Sequence, residues 1–366
     1  MSGDLIIATE PVSADDRAAL AGSVRDLLSR RADSASARAV MGNTPRIDSG
    51  LWHTLCAEIG VAALPIPEEF GGAGATFIES AAVLEELGTA LTPVPVYSSA
   101  LATAAVLLAG DTDAAHRLLP TIASGEQAAA LCWAGTTGWD RPGVIADAGL
   151  LSGTAYYVAD GECADVLLVL AASGGEITLH SVDTRADGVT VTALPVVDPT
   201  RPMSRIDFDD TPGDSISSGP GVDRRLRSYA WALLAAEQVG GMTAALDLTV
   251  EYTKSRKQFG RIIGSFQALK HRMADMYALV ETSRSISRAA IAALVADAPD
   301  ADDLAASAHV YCSEAFLTVA GEGIQLHGGI GITAEHDISL YFKRAHSSAQ
   351  LFGQAHEVIA ELGSRR

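Results

Sequence analysis

YTKSRKQFGRIIGSFQALKHRMADMYALVE, Tyr252 to Glu281, carries two helix ends and the turn between them. Helical signal runs up to Arg256, is broken by Phe259-Gly260 and Gly264, and restarts near Ser265. In the second helix Phe266, Leu269, Met273, Met276, Tyr277 and Val280 recur at intervals of three and four, which predicts one buried stripe. Arg256, Lys257 and Gln258 fall on the turn, where a guanidinium, an amide and free backbone N–H groups can face outward together. That set suits the pyrophosphate of a dinucleotide. An ordinary αα-hairpin with a solvated basic tip is the alternative, because short motifs match by chance.

Outward from this hairpin, the composition sets bounds. The chain has 366 residues, 48% of them hydrophobic, enough for two or three packed units and a large core. A formal net charge of −19 argues against nucleic acid and against anionic membrane as partners. Cys56, Cys132, Cys163 and Cys312 are scattered without a CxxC pair, which predicts neither a disulfide framework nor a zinc site. MSGDLIIATEP at the start does not read as a signal peptide, and no apolar run approaches the ~20 residues a membrane span needs. A cytoplasmic protein is the expectation.

Periodicity divides the chain in three, giving an α+β, mainly α fold. Residues 1–127 read as an N-terminal helical domain. Its first helix is ADDRAALAGSVRDLLSRRA, opened by Ser13 with Asp16 three residues on; SGLWHTLCAEIG, FIESAAVLEELGTAL and PVYSSALATAAVLLAG follow. The glycine-rich PEEFGG loop lacks phosphate-loop spacing and reads as a turn. From 128 to 215 the period drops to two: ADVLLVLAA, GEITLHSVD, GVTVTALPV and SRIDFDD predict a small antiparallel β domain, closed by a DDTPGDSISSGPG linker. Residues 216–366 return to helix and read as a C-terminal four-helix bundle, opened by a segment from Asp223 to Lys254 that is apolar nearly all round.

This order, with RKQFGRIIGSFQ, QLHGGIG, PEEFGG, EELGTAL and SGTAYYVADGECADVLLV, resembles the acyl-CoA dehydrogenase family over nearly the whole chain. The resemblance implies α,β-dehydrogenation of an acyl-CoA thioester with FAD as cofactor. A carboxylate takes the α proton, and each flavin site is built from two subunits. It also implies that Arg256, Gln258 and Phe259, with Gln325, Gly328 and Gly329 of QLHGGIG, form the clamp on the ADP half of a neighbour's FAD. A helix-ending turn without a ligand is the alternative for HGGIG.

The other half departs from the family pattern. Where a segment like TEPxAGSD is usual, the chain has CWAGTTGWD, Cys132 to Asp140; the usual Trp-Ile-Thr against the flavin ring is Tyr157-Val158-Ala159. Ala159 offers no hydroxyl, and Tyr157 reads more readily as a core residue than as a cofactor contact. The late glutamate before a glycine is replaced by Phe352 before Gly353, and the alternative position in the first bundle helix falls on Ala230 or, one residue off, on Tyr229. A phenol with a pKa near ~10 is a poor base at neutral pH. Glu237 reads as a paired, buried helix glutamate, Asp247 as structural, and Glu357 as solvated. His327, His336, His346 and His356 show no metal spacing.

The expectation is therefore a chain with no catalytic residue and no metal of its own, the non-catalytic partner in a heteromeric acyl-CoA dehydrogenase. The resemblance is closest to the heterotetramers of actinobacterial sterol side-chain breakdown. It implies as partners a homologous catalytic subunit, an acyl-CoA substrate, steroid-linked in those heterotetramers, and an electron-transfer flavoprotein or similar acceptor. Two rivals are a self-sufficient homo-oligomer using an unusual base such as Glu237, and a redox-inactive structural or CoA-binding protein.

Overall fold

The computed structural model describes Ala8 and residues 10–364; most of the MSGDLIIATEP segment lies outside the described residues. Helices come first: α1 (Ala14–Arg31), α2 (Ser34–Val40), α3 (Ser49–Thr54), α4 (Phe77–Ala90), α5 (Val96–Ala109) and α6 (Thr112–Ala123). Ser13 caps α1 by accepting from the Asp16 N–H at 3.1 Å. Thr76 and Glu79 form a full capping box on α4, which fixes where that helix leaves the PEEFGG turn.

Strands follow: β1 (Ala129–Cys132), β2 (Ala134–Gly135), β3 (Gly138–Pro142), β4 (Val144–Asp147), β5 (Leu150–Ala159), β6 (Val166–Ser173), β7 (Glu176–Asp183), β8 (Val189–Ala193), β9 (Met203–Pro212) and β10 (Asp214–Ile216). The main sheet runs β10-β7-β6-β4-β5-β9-β8, with β1 also on β6; β2 and β3 pair separately. It is antiparallel as expected except at β6, whose neighbours β1 and β4 both run parallel to it. The expected DDTPGDSISSGPG linker is largely strand, because β9 continues to Pro212 and β10 pairs with β7. In β6 the side chains of Val166, Leu168 and Leu170 join the large core shared with the helices. Leu167, Val169 and Ala171 join a smaller core on the opposite face. That double burial explains its unbroken apolar sequence.

The chain ends in α7 (Val222–Ser255), a two-residue hairpin of β11 (Lys257–Gln258) and β12 (Arg261–Ile262), α8 (Gln267–Val295), α9 (Ala301–His327), α10 (Ile338–Ser348) and α11 (Ala355–Ser364). α7 packs on α4, α5, α8, α9 and α10, which accounts for its all-round apolar sequence. It crosses α4 at backbone contact. A Cβ on Gly240 would lie 1.9 Å from the Glu85 carbonyl oxygen, and one on Gly88 2.1 Å from that of Glu237. The predicted stripe on α8 is only partly buried: Met276 and Val280 are covered, Phe266, Leu269 and Met273 half-covered, and Tyr277 is 59% exposed. Tyr277 thus departs from the expectation of one buried stripe. Among the described residues no helix is long and apolar enough to cross a membrane.

Candidate functional site

Two turns project from one end of the bundle. After α7, the Arg256 N–H still bonds to the Tyr252 carbonyl at 2.9 Å, and the Ile263 N–H closes the loop on the Arg256 carbonyl at 2.8 Å. Between them, Phe259 and Gly260 take left-handed conformations with φ of 53° and 76°. Phe259 is 90% exposed, and Arg256, Lys257 and Gln258 face solvent. The second turn follows α9, where Gly328 adopts φ 64° and ψ −144° and both Gly328 and Gly329 are exposed beside Gln325. Such a conformation suits glycine; the Gly328 N–H itself bonds back to the Ile324 and Gln325 carbonyls, and the missing side chains leave the backbone open to close approach. Tyr252, four residues before Arg256, stacks on His327, next to Gly328, with ring centroids 4.4 Å apart. That contact brings the two turns to the same end of the bundle.

His327 lies against His336 at 4.4 Å, and its Nδ1–H donates to the Gly323 carbonyl at 2.7 Å. Burial lowers its pKa, first among causes. His346 packs on Phe342, and both His346 and His356 are exposed. Among the described residues no three His, Cys, Asp or Glu side chains converge as a metal centre would need.

Toward the N-terminal part of α7, away from the end that carries Arg256, the two positions for a base are closed. Phe352 and Gly353 follow α10 with φ of 59° and 105°. Phe352 is only 5% exposed; its ring lies 4.4 Å from Trp139 and within 6.5 Å of Trp133 and Tyr97. Its carbonyl accepts from Trp231 Nε1 at 3.0 Å and from Arg227 Nε at 3.2 Å, while the Gly353 carbonyl accepts from His309 Nε2 at 2.8 Å. These donors pin the loop. The space left among Tyr97, Trp139, Tyr157 and Phe352 amounts to about 10 Å³.

On α7, Ala230 is fully buried and its carbonyl accepts the Tyr97 hydroxyl at 3.1 Å. Tyr229 turns away to donate to the Leu294 carbonyl at 3.4 Å, and burial pushes its phenol up to about 12. Glu237 is ion-paired with both Arg201 and Arg344, so it is the paired glutamate the sequence suggested. Glu357 caps α11 by accepting from the Gln354 N–H at 2.8 Å and is exposed, as is Asp247.

Outside the plugged slot lies a cleft of about 460 Å³ bordered by Thr137, Trp139, Tyr157, Val197, His346 and Gln350. Its lining contains no lysine or arginine. Tyr157 is not the core residue expected: the register of β5 against β9 shifts between Ala155 and Val158, and this bulge presents Tyr157 to the cleft, 50% exposed with φ 55°. Ala159 sits half-buried beside it. Sequence reasoning missed Trp139, the pinning donors Arg227, Trp231 and His309, and the arginine partners of Glu237. Of these only Trp139 had a local signal, as the extra aromatic in CWAGTTGWD.

Residues 14–126 match the family model of the acyl-CoA dehydrogenase N-terminal domain, and residues 228–365 that of the C-terminal domain. The chain is 41% identical to the acyl-CoA dehydrogenase IpdE2 of Mycobacterium tuberculosis, over 96% of this chain and 97% of that one. It belongs to the acyl-CoA dehydrogenase family. Among solved acyl-CoA dehydrogenases, a variant of the Tcur3481-Tcur3483 steroid ACAD superposes with a TM-score of 0.89 at 29% identity, covering 96% of this chain and 97% of that chain. The ChsE4-ChsE5 complex from Mycobacterium tuberculosis does so with 0.89 at 28% identity and the same coverage. Both are named as pairs of chains, and the helical block, central sheet and helical bundle read from the sequence are the acyl-CoA dehydrogenase fold.

Proposed function

We propose that this chain is the non-catalytic subunit of a heteromeric acyl-CoA dehydrogenase, in a heterotetramer with two copies of a homologous catalytic chain. In this reading Arg256, Gln258, Phe259, Gln325, Gly328 and Gly329 complete the FAD site of that partner. The observation that carries it is Phe352, a buried, pinned phenyl ring at the position directly before Gly353 where the family's base is expected. No carboxylate is free at the second position either: Ala230 has none, and Glu237 is held by two guanidiniums.

The residues present fit one half of FAD and not the other. The clamp end offers an exposed guanidinium and an exposed amide as donors to a pyrophosphate, beside two exposed glycines that leave room for it. The ring end offers Ala159 without a hydroxyl, Tyr157 on a bulge, and a slot packed with aromatic side chains. The flavin would supply two-electron oxidation of the Cα–Cβ bond, with the α proton leaving to a carboxylate of the partner. This chain's residues would bind and orient the ADP half. Arg256 would neutralise phosphate charge, the glycine turn would let the backbone approach closely, and Phe259 would cover the site from water. The paired assemblies among its relatives favour this role, and the steroid ACAD likeness favours a steroid-linked CoA thioester as substrate. An electron-transfer flavoprotein or similar acceptor would take the electrons onward.

The test is flavin absorbance and oligomeric mass, for the chain alone and co-expressed with a candidate catalytic partner. A colourless single chain, a yellow complex and loss of flavin in the Arg256→Ala complex support the proposal. A yellow single chain that bleaches with an acyl-CoA would establish the self-sufficient enzyme instead. No flavin in any combination would leave the redox-inactive reading.

A further inference from the structure

Behind the plugged slot, five charged side chains meet out of solvent where α5, the sheet, α7 and α10 join. Arg201 donates to Glu237, and Arg344 donates both to Glu237, at 2.6 Å, and to Asp198. Asp198 also accepts from the Thr200 N–H at 2.9 Å, and Arg344 Nη2 from the other side donates to Thr200 Oγ1 at 2.7 Å. All four of these side chains are at most 10% exposed. The fifth is Asp160, just past β5, which makes no salt bridge among the described residues and whose carboxylate accepts from Ser98 Oγ at 2.8 Å. Asp160 borders the same void of about 20 Å³ as Arg201, Glu237 and Arg344.

The charges do not balance. Asp160, Asp198 and Glu237 carry three negative charges when ionised, against two guanidiniums on Arg201 and Arg344. A net charge in a site without solvent is costly, and the group lacking an ion pair is the one that gives it up. We propose that this cluster stores one proton, on Asp160, and that releasing it loosens the joint between α5, the sheet and the bundle.

The groups facing Asp160 are consistent with this. Ser98 and Tyr97 face it from α5, Arg201 from the β8–β9 connection, Glu237 from α7 and Arg344 from α10; Cys163 bonds to its backbone carbonyl. Burial is the largest influence on Asp160 and raises its pKa to about 6, over the opposing pull of the Ser98 hydrogen bond and of Arg201. Tyr97 couples the cluster to the slot: Arg201 lies over its ring at 5.3 Å, and its far edge packs toward Phe352 at 6.5 Å.

The folded chain would hold a proton that the unfolded chain has already released at pH 4 to 6. Stability from this group is complete below the unfolded value, falls as pH rises through that window, and is gone above it. The experiment compares the full-length chain with Asp160→Asn across pH 4 to 8, by urea unfolding and by hydrogen exchange. The variant should gain on the parent as pH rises, by about a hundredfold in the folding constant, with the change confined below pH ~6.5. Exchange protection of α5 and the end of β5 should fall with pH in the parent and not in the variant. The infrared spectrum should show a protonated carboxyl band at pH 5 that is lost at pH 8 and absent from Asp160→Asn. If Asp160→Asn does not fold, Ser98→Ala decides, because removing the hydrogen bond to the ionised form should move the band's midpoint upward. Parallel stability curves for parent and Asp160→Asn, a missing carboxyl band, or an unmoved midpoint in Ser98→Ala overturns the proposal.

Discussion

Glu237 has the chemistry of a base and none of the freedom of one. Both its oxygens are engaged by guanidiniums from segments that no local pattern ties to α7, Arg201 being 36 residues away and Arg344 107. Replacing it by glutamine would leave two buried cations facing an amide. Glu237→Gln should therefore lower unfolding free energy by about 3–5 kcal/mol, the range for one broken buried pair, measured by urea denaturation. A loss below ~1 kcal/mol would show that the pairs contribute no stability. Phe352 is decisive in a different way, because its identity was readable by counting from Arg344 while its packing was not. Phe352→Ala should cost about 3–5 kcal/mol in the same assay, since the ring touches Trp139 and its carbonyl is held in place. Phe352→Glu should yield no dehydrogenase activity in the single chain: the new carboxylate would face Trp139, Trp133 and Tyr97 rather than a thioester.

At the scale of elements, α7 shows what periodicity can and cannot carry. An apolar sequence on every side predicted burial on several sides, and five helices do surround it. The same sequence could not say that α4 crosses it at backbone contact, because Gly88 and Gly240 lie far apart in the chain and each alone reads as a weak helix position. A methyl at Gly240 meets a carbonyl oxygen rather than a flexible side chain, so the helices must separate. Gly240→Ala should thus destabilise by about 1–3 kcal/mol despite its better helix propensity, visible as a lower thermal midpoint. A raised midpoint would mean that the crossing has room for a methyl group. The strands were harder to read. β1 and β2 are four and two residues long, too short for alternation to register. Parallel pairing to β6 depends on connections that leave no mark in either strand. Tyr277 failed as a core prediction because periodicity marks an apolar stripe without saying how far it is covered: Met276 and Val280 are buried, while Tyr277, one residue beyond Met276, is exposed.

For the whole molecule, stability at mildly acid pH should draw opposed contributions from His309 and Asp160, with His327 and His180, whose pKa values burial also lowers, adding to the histidine side. His309 is fully buried, donates through Nε2 to the Gly353 carbonyl, and has its pKa pushed down to about 4 by burial first and by Arg227 to a lesser degree. Unfolding lets this ring take a proton between pH 6.5 and 4. Its contribution is therefore present above the unfolded value and lost as pH falls, by roughly 3 kcal/mol over the window. Asp160, raised to about 6, contributes in the reverse direction over nearly the same range. The parent chain should consequently show a shallow stability profile between pH 4.5 and 6.5. Removing Asp160 as a titrating group should uncover His309, so Asp160→Asn should gain stability with pH clearly more steeply than the parent. Adding His309→Gln to that variant should make the profile shallower again. Urea midpoints at pH 4.5, 5.5 and 6.5 for the three proteins decide it: a double variant as steep as Asp160→Asn would assign the slope to other groups and remove His309 from the account.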